Sequence, residues 1–436
     1  MSDGAGWLLR DVEIDGRRTD CRLSVGAVAE IGTDLPPLPG EAVLDGRGGA
    51  LVPGLADHHL HILATAAAAA SLDLAGGEIA TAPETPGSGW LRVIGSGEPD
   101  LDRHTLDRRW PDRPVRLQHR GGALWTLNSA AVELLGDGLR ADERRTGRVW
   151  RSDARLRRLV GSTVEPAALG TLGARLAGYG LTHLTDAGPD LDAGALVRLR
   201  AALPQHVHSM GPAGGSMPRK IVVTDHEPPR LGDLTSRIAD AHEQGRPAAV
   251  HAVSAVALAL ALAAFEQAGT RRGDRIEHAA VCDDDAARVL AELGLTVVTQ
   301  PSLAVRHGLA YLRDTEPGER SALWRHAGLR RVGVTVVVSS DAPYGDANPW
   351  HGVQAAATRR LPDGTTLGTA ETIPAAAAFA TLLSDPADPG GPLRRISPEA
   401  PADLTLLDGP LHVVIAAAMA GVTPVRATFV RGRRIH

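Results

Sequence analysis

Short apolar runs and helical segments alternate along most of the chain. Eight apolar runs of four to six residues, bounded by Gly, Pro or polar residues, have the pattern of buried strands. These predicted strands are Val52–Asp57, Leu181–Thr185, His206–Met210, Lys220–Thr224, Ala248–His251, Arg275–His278, Leu295–Gln300 and Val334–Ser339. The predicted helices are Pro166–Gly178, Leu231–Gln244, Ala255–Ala268 and Asp284–Leu293. Alternation that closes at eight strands predicts an α/β fold, a (β/α)8 TIM-like barrel within residues 51–399, with its active site at the carboxyl ends of the strands.

The two ends of the chain have a different pattern. Alternating apolar segments, separated near the N-terminus by Asp-Gly, Pro-Pro and Gly-rich turns, predict antiparallel strands. The segments are Trp7–Ile14, Arg22–Ile31, Ala42–Leu44, Asp403–Leu407 and Ala427–Val430. We therefore expect residues 1–50 and 400–436 to form one composite β-sandwich domain.

A weaker pattern separates the first predicted barrel strand from the others. Residues 64–161 contain strand-like segments at Trp90–Ile94 and Val115–His119 and a helical segment at Asn128–Leu135. The spacing of these segments does not continue the alternation of strand and helix. We interpret residues 64–161 as an insertion.

One apolar run ends in a cluster of histidines. Residues 51–61 read LVPGLADHHLH, so the first predicted strand leads into His58, His59 and His61. Side chains alternate between the two faces of an extended chain, which puts His59 and His61 on one face and His58 on the other. Two imidazoles on one face can bind one metal ion such as zinc. The alternative is a His-rich turn without a metal, unless distant residues supply more ligands.

Further candidate ligands fall on the other predicted strands. Lys220 begins the fourth strand, His251 ends the fifth, His278 ends the sixth, and Asp341 follows the eighth. Apart from Lys220, they lie at the carboxyl ends, where a barrel carries its active site. A single histidine is more often a hydrogen-bonded core or loop residue. The joint pattern favours a metal centre.

Lys220 is also the only lysine in the chain. Lys and Arg total 46, so 45 of them are arginines. A buried lysine can lose its proton and act as a nucleophilic amine, whereas arginine stays protonated. The position therefore suits chemistry that arginine cannot perform, and the alternative is a surface lysine left by chance.

Charge and composition argue against several classes of function. The net charge is −5, the isoelectric point is about 6.4, and the chain has no basic block of the kind that binds nucleic acid. The longest apolar stretch, Ala255–Phe265, is too short to cross a bilayer, and the first residues lack the pattern of a signal peptide. Cys21 and Cys282 give no disulfide framework. We expect a cytoplasmic protein without a nucleic-acid or membrane partner.

The order HxH, Lys, His, His, Asp on a barrel with a composite β-sandwich resembles the amidohydrolase superfamily. More narrowly, it resembles the family 3, YtcJ-like branch. The matching stretches are VPGLADHHLH (52–61), LWTLNSAAV (124–132), LTHLTDAG (181–188), VHAVSAVAL (250–258), DRIEHA (274–279), TQP (299–301) and SSDAPYGDANPW (339–350). The combination is specific although no single stretch is. The segment after Lys220 lacks the DG-S-GSR stretch common in that branch.

The resemblance implies a set of metal ligands and a mechanism. The implied ligands are His59, His61 and Asp341 for one divalent ion, His251 and His278 for a second, and Lys220, carboxylated by CO2, as the bridge. Zinc is the expected metal, with Mn, Fe, Co and Ni as alternatives. A water activated by the two ions would attack as hydroxide, and Asp341 would act as general acid and base.

Weaker candidates lie in predicted loops or in the insertion. Asp57 and Glu277 adjoin metal ligands and are candidates for orienting them. The candidates for substrate contact are His119, Asn128, Asp225, Gln300, Arg306 and Tyr344, with Arg120, Asp186, His226 and His307 as further loop residues of the same kind. For each of them, a solvated loop residue or a helix cap is the alternative.

Three functions are compatible with this pattern. The first is a binuclear hydrolase of an amide, N-acyl, N-formyl or cyclic amide bond in a small molecule. The second is a mononuclear aminohydrolase or deaminase, which would not need Lys220. The third is a barrel that binds metal without turnover. The substrate is not predicted, because loops determine specificity, and a homodimer is expected only from base rates.

Overall fold

The computed structural model describes residues 6–74, 79, 82, 89–96, 100–119, 124–161 and 166–436. The chain divides into two compact units. The first combines Met1–Ile62 with Gly170–His436, and the second is Leu63–Leu169. The second unit covers the part of the sequence in which the insertion at 64–161 is predicted.

Strands and helices follow one another along the described residues. The strands are β1 (Trp7–Ile14), β2 (Arg17–Leu23), β3 (Val28–Gly32), β4 (Ala42–Asp45), β5 (Leu51–Pro53), β6 (Leu55–Leu60), β7 (Leu72–Asp73), β8 (Leu91–Ser96), β9 (Val115–His119), β10 (Leu124–Leu127), β11 (Arg148–Trp150), β12 (Leu181–Asp186), β13 (His206–Ser209), β14 (Arg219–Val222), β15 (Ala248–Ala252), β16 (Arg275–His278), β17 (Thr296–Thr299), β18 (Val336–Val338), β19 (Ser384–Asp385), β20 (Asp388–Leu393), β21 (Leu404–Leu407), β22 (Val425–Val430) and β23 (Arg433–Arg434). The α-helices are α1 (Ile62–Ala69), α2 (Arg103–Arg109), α3 (Ser129–Leu135), α4 (Ala141–Thr146), α5 (Asp153–Val160), α6 (Pro166–Gly178), α7 (Ala193–Ala202), α8 (Leu231–Glu243), α9 (Ala255–Ala268), α10 (Asp284–Glu292), α11 (Pro301–Arg306), α12 (Gly308–Asp314), α13 (Ala327–Arg331), α14 (Pro349–Thr358), α15 (Ala375–Thr381) and α16 (Leu411–Met419).

Eight parallel strands of the first unit carry the candidate ligands. They form two sheets, with strand orders β13-β12-β6 and β14-β15-β16-β17-β18. Backbone hydrogen bonds also link the sheets, from Lys220 N to Met210 O (3.0 Å) and from Asp341 N to His59 O (2.7 Å). Each of the eight runs predicted to be a strand overlaps one of these strands.

The first of the predicted strands is interrupted. The prediction of one strand at Val52–Asp57 is wrong, because β5 pairs with β21 whereas β6 pairs with β12 and continues to Leu60. Gly54 separates the two strands. A Cβ at Gly54 would lie 2.1 Å from Cγ2 of Thr182, so only glycine lets the chain pass this close to β12. His59 therefore lies within a strand rather than after its end.

Helices cover one side of the five-stranded sheet. In α9, Ser254 caps the N-terminus by accepting a hydrogen bond from Ala257 N, and Phe265 is fully buried. The core cluster that contains Phe265 also includes Leu234 and Ile238 of α8 and Leu290 of α10. Burial of one such side chain stabilises the fold by about 1.5–3 kcal/mol. The predicted helix Ala255–Ala268 has the same bounds in the structure.

Two more sheets of the first unit come from the chain ends. One has the strand order β3-β2-β1-β4, and the other has the order β23-β22-β21-β5. Buried side chains of both sheets, among them Leu9, Cys21, Leu404 and Phe429, belong to one hydrophobic cluster. The prediction of one continuous segment at Arg22–Ile31 is wrong. A turn at residues 24–27 separates β2 from β3, with Gly26 at φ 91°.

The second unit contains a five-stranded sheet with the order β11-β10-β9-β8-β7. Its core includes Val93, Leu106 and Leu117. Asp102 and Asn128 cap the N-termini of α2 and α3, because their side chains accept hydrogen bonds from backbone amides of the first turn. Across the described residues of both units, no helix is long and apolar enough to cross a membrane.

A buried histidine makes the stability of the first unit depend on pH. Burial lowers the pKa of His326 to about 3, with the charges of Arg330 and Arg359 acting in the same direction. The unfolded chain binds a proton near pH 6.5 whereas the folded chain does not, so stability is present above that pH and is lost as the pH falls. We expect this residue to remove about 2 kcal/mol of unfolding free energy between pH 7 and 5. Urea unfolding of wild type and His326→Leu at both pH values measures the difference. The exposed His412→Leu is the control, and an equal pH dependence in wild type and His326→Leu would contradict the assignment.

Candidate metal centre

Two histidines and an aspartate converge at the junction of β6 and β18. Nε2 of His59 and Nε2 of His61 lie 3.4 and 3.3 Å from Oδ1 of Asp341. The three ligand atoms lie within 4.8 Å of one another. Oδ1 of Asp341 is buried and has no hydrogen-bond partner in the described part of the chain. A buried carboxylate oxygen beside two imidazole nitrogens is a donor set that fits a divalent metal ion.

The backbone explains why these three residues meet. Alternation along β6 turns His59 and His61 to one face, as predicted, while His58 Nε2 lies 3.1 Å from the carbonyl oxygen of Thr381. Asp341 follows β18 with φ 52°, in the left-handed region that is unfavourable for residues other than glycine. Such backbone strain is typical of functional sites.

The amine of Lys220 lies beside His59, although Lys220 is near the start of its strand. It is the second residue of β14, and its Nζ lies 3.3 Å from Nε2 of His59. The long side chain explains how a residue near the start of a strand reaches a site near the carboxyl ends. Burial lowers the pKa of the Lys220 amine, although the carboxylates of Glu277 and Asp341 oppose the shift. A neutral amine is the form that reacts with CO2.

His251 and His278 lie beside this group. Their ring centroids are 4.5 Å apart, and the ring of His278 is 5.1 Å from that of His59. Burial lowers the pKa of His251 to about 4 and that of His278 well below its usual value, so both imidazoles are neutral. Within the described ranges, neither joins a group of three His, Cys, Asp or Glu ligand atoms as close as the one around Asp341.

Gln300 holds the ring of His278. Nδ1 of His278 donates to Oε1 of Gln300 (2.7 Å), while Nε2 of Gln300 donates to Val298 O (3.1 Å) and to the Ser339 hydroxyl (3.0 Å). This network leaves the lone pair on Nε2 of His278, the tautomer that binds a metal. Gln300 was a candidate for substrate contact, but its amide is engaged with these neighbours.

Glu277 orients a different histidine from the one beside it in sequence. Nδ1 of His59 donates to Oε2 of Glu277, and Nε of Arg275 donates to the other carboxylate oxygen (2.6 Å). All three side chains are almost completely buried. Sequence reasoning found Glu277 as a neighbour of His278 and missed Arg275. The sequence does indicate the pairing of Arg275 with Glu277, because side chains alternate along Arg275–His278 (RIEH), which puts these two residues on the same face of the strand.

Two further carboxylates support the loops after the ligands. Oδ1 of Asp57 accepts from the backbone amides of His59 and Ser340 (both 3.2 Å), and burial raises the pKa of Asp57 to about 6. Oδ2 of Asp186 accepts from Ile62 N (2.8 Å). Asp57 was predicted as an orienting residue and Asp186 as a loop candidate.

The other candidates for substrate contact occupy varied positions. Arg306 and Tyr344 are exposed in the first unit, and the Tyr344 ring lies 5.8 Å from that of His61. Asp225 is exposed and accepts a hydrogen bond from the Ser254 hydroxyl. His119 and Asn128 belong to the second unit, where His119 contacts the Thr126 hydroxyl (2.9 Å) and Asn128 is fully bonded to backbone groups. Arg120 lies outside the described residues.

The amino-acid sequence matches a known protein family over most of its length. The model of a family described as "Amidohydrolase family" matches residues 42–436, which is most of the chain. This protein belongs to the amidohydrolase family. As a member of it, the chain is a hydrolase that acts on carbon–nitrogen bonds. The residues around Asp341 are candidate metal ligands of this amidohydrolase.

Known proteins similar to this amidohydrolase include one curated relative and several solved structures. The N-substituted formamide deformylase of Arthrobacter pascens is 24% identical, over 85% of each chain. A solved metal-dependent hydrolase of Pyrococcus horikoshii OT3 is 18% identical, with a TM-score of 0.71 over 92% of this chain and 97% of its own. N-isopropylammelide isopropylaminohydrolase of Burkholderia multivorans is 17% identical, with a TM-score of 0.55 over 99% and 98%. The structural likenesses indicate a TIM-barrel-like α/β fold.

Substitution of Gln300 tests whether orientation of His278 matters to metal binding. Gln300→Met keeps the volume but removes both the acceptor for His278 and the donor to Val298 and Ser339. Loss of a partner that orients a ligand typically lowers metal affinity about 10–100-fold. Competition with a chromogenic chelator measures the affinity of the folded variant. Gln354→Met is the matched control, since among the described residues the only hydrogen bond of the Gln354 side chain goes to Met419 O. An unchanged affinity would show that Gln300 is structural.

Proposed function

We propose that this protein is a metal-dependent amidohydrolase that cleaves the C–N bond of an amide, an N-acyl or N-formyl group, or a cyclic amide in a small molecule. The observation that carries the proposal is the buried Oδ1 of Asp341, which has no hydrogen-bond partner among the described residues and lies near the Nε2 atoms of His59 and His61. The resemblance to a formamide deformylase over 85% of the chain supports an N-formyl or N-acyl substrate.

We infer that the eight parallel strands form a closed (β/α)8 barrel within residues 51–399. The backbone bonds from Lys220 to Met210 and from Asp341 to His59 support closure, because they join the two parallel sheets at both edges. The sheets from residues 1–50 and 400–436, which share a hydrophobic cluster, would form the composite β-sandwich. This arrangement puts the candidate ligands at the end of the barrel where active sites lie.

The proposed metal ligands are His59, His61 and Asp341 for one ion, His251 and His278 for a second, and a carboxylated Lys220 as the bridge. Burial of the Lys220 amine and its distance of 3.3 Å from His59 support the bridging role. Zinc suits this set of nitrogen and oxygen donors, and Mn, Fe, Co and Ni are alternatives.

The residues of the site have separate tasks in the proposed reaction. When bound, a divalent ion polarises the scissile carbonyl and acidifies a water molecule. Asp341 accepts the proton of the attacking water and returns it to the leaving nitrogen. Glu277 keeps the Nε2 lone pair of His59 towards Asp341, and Gln300, which accepts from Nδ1 of His278, keeps the lone pair of that ring on Nε2. Arg275 forms an ion pair with Glu277, so the carboxylate that orients His59 is itself neutralised.

A mononuclear aminohydrolase or deaminase is the second candidate. The observation that favours it is that only His59, His61 and Asp341, among the described residues near the site, bring three ligand atoms within 4.8 Å. The likeness in fold to an isopropylaminohydrolase is compatible with this alternative. In such an enzyme Lys220 would not hold metal.

Removal of Lys220 distinguishes the two candidates. For the binuclear enzyme, wild type purified with bicarbonate should contain two divalent ions per chain, and Lys220→Ala should contain one and lose hydrolysis of N-formyl substrates by at least about 100-fold. Lys220→Arg is the matched control, because it keeps a long basic side chain but cannot form a carbamate, and it should lose the second ion as Lys220→Ala does. Elemental analysis and a carbamate signal in ¹³C NMR provide the measurements. One ion in wild type with full activity in Lys220→Ala would favour the mononuclear enzyme.

Substitution of Asp341 tests the proton transfer. Asp341→Asn keeps the shape but removes the basic carboxylate, and we expect kcat to fall about 10²–10⁴-fold. Assays should include N-formyl amines, N-acyl amino acids and cyclic amides, with ammonia release from amino-substituted rings as the deaminase assay. Metal content measured in parallel separates lost proton transfer from lost metal. Normal kcat in Asp341→Asn would overturn the mechanism.

A further inference from the structure

A second cluster of histidines lies at the other end of the parallel strands. His183 is in β12, and His206 and His208 are in β13. His183 is paired with His206 across the two strands, and Thr185 is paired with His208. Paired residues of parallel strands, and residues two apart on one strand, have side chains on the same face. The three imidazoles therefore share a face, near the amino-terminal ends of strands whose carboxyl ends lie towards the Asp341 site.

Asp403, just before β21, completes this cluster. Its Oδ2 lies 3.0 Å from Nε2 of His206 and 3.8 Å from Nε2 of His183. These three atoms lie within 4.8 Å of one another. Donors bound tetrahedrally at about 2.0–2.1 Å from zinc are about 3.3 Å apart, so the spacing suits a common metal ion. The other oxygen of Asp403 accepts from Arg431 N (2.8 Å), which fixes the carboxylate.

Hydrogen bonds leave the lone pairs of the cluster available. Nδ1 of His183 and Nε2 of His208 are 3.2 Å apart. When Nδ1 of His183 donates to His208, its Nε2 keeps the lone pair towards Asp403, as in histidines that bind metal. Nε2 of His206 is buried and lies 3.0 Å from Oδ2 of Asp403, and, against the effect of burial, contact with His206 contributes to the lowered pKa of that carboxyl. A carboxylate and imidazole nitrogens gathered in this way are ligand types that zinc binds.

Burial favours the neutral form of the imidazoles of His183 and His208. Burial lowers the pKa of His208 to about 4 and that of His183 well below its usual value. Arg394 is a nearby positive group, but its guanidinium is bonded to the carbonyl oxygens of Gly54, Leu382 and Leu383. Its charge disfavours a cation, so this cluster should bind metal less tightly than the Asp341 site.

We propose that His183, His206 and Asp403 form a second, structural site for a divalent transition metal such as zinc, with His208 as the positioning residue for His183. Three protein ligands leave the fourth position of a tetrahedral ion to water, which the 21% exposure of the His206 side chain permits. The ion would join β12 and β13 to the segment before β21. An ion that binds only the folded chain stabilises it.

The test uses the full-length chain with the Asp341 site disabled. His61→Asn and Asp341→Asn together form the background, and chelator-treated protein is titrated with Co²⁺ alone. We expect one ion per chain with the visible absorption of tetrahedral cobalt, and a higher thermal midpoint with Zn²⁺. Adding His206→Gln or Asp403→Asn should abolish both effects. Adding His412→Gln, at an exposed histidine of the same unit, should leave them unchanged.

The outcomes separate this site from the catalytic one. Absence of cobalt absorption and of stabilisation by zinc in the folded background would leave only a hydrogen-bonded His–Asp cluster and overturn the proposal. A signal that survives both His206→Gln and Asp403→Asn would come from elsewhere and would overturn it as well. Cobalt absorption and stabilisation by zinc are first measured in the background protein, in which His183, His206 and Asp403 are unchanged. The test therefore holds even if the His206→Gln and Asp403→Asn variants do not fold. Neither result depends on hydrolytic activity.

Discussion

Burial of the Asp341 carboxylate is the constraint on which the site depends. An ionised carboxylate away from water is costly unless it is paired or coordinated, and Oδ1 of Asp341 has no hydrogen-bond partner in the described chain. His59 is one of the groups that face it, and burial lowers the pKa of that imidazole, so it offers a lone pair rather than positive charge. This set of donors fits a divalent cation. Glu277 and Gln300 set the tautomers of His59 and His278 that such a cation needs, with the proton on Nδ1 and the lone pair on Nε2.

Support for the ligands lies in an ionic network deep in the protein. Arg275, Glu277 and His59 are almost completely buried and bonded to one another. A buried pair of this kind contributes little net stability compared with apolar residues, but loss of one partner is strongly destabilising. The network instead fixes positions, because the planar guanidinium of Arg275 holds the carboxylate of Glu277, and this carboxylate holds the ring of His59. Nε2 of His59 is therefore held in place before any ion arrives.

Sequence predicted the parts of the site that follow from local periodicity. Alternation along the chain separated His59 and His61 from His58, and seven of the eight apolar runs coincide closely with strands, while the first run, Val52–Asp57, covers the break between β5 and β6. The pairing of Glu277 with His59 was not predictable, because it depends on how strands far apart in the chain are aligned. The break at Gly54 was missed for a similar reason, since its cause is the side chain of Thr182 on another strand. Asn128 is the first residue of the predicted helical segment Asn128–Leu135, where a helix cap was the alternative to substrate contact, and the structure shows the cap.

The backbone bond between Asp341 and His59 joins positions 282 residues apart, and this separation has a consequence for synthesis. At ordinary translation rates, the ribosome needs on the order of tens of seconds to add the residues between them. During that interval the first histidines exist without their carboxylate partner. The pairing of β6 with β12 can therefore form without an ion at this site, whereas the proposed set of ligands is complete only after Asp341 has been made. Loading of the Asp341 site would then follow synthesis of most of the chain rather than guide its first steps of folding.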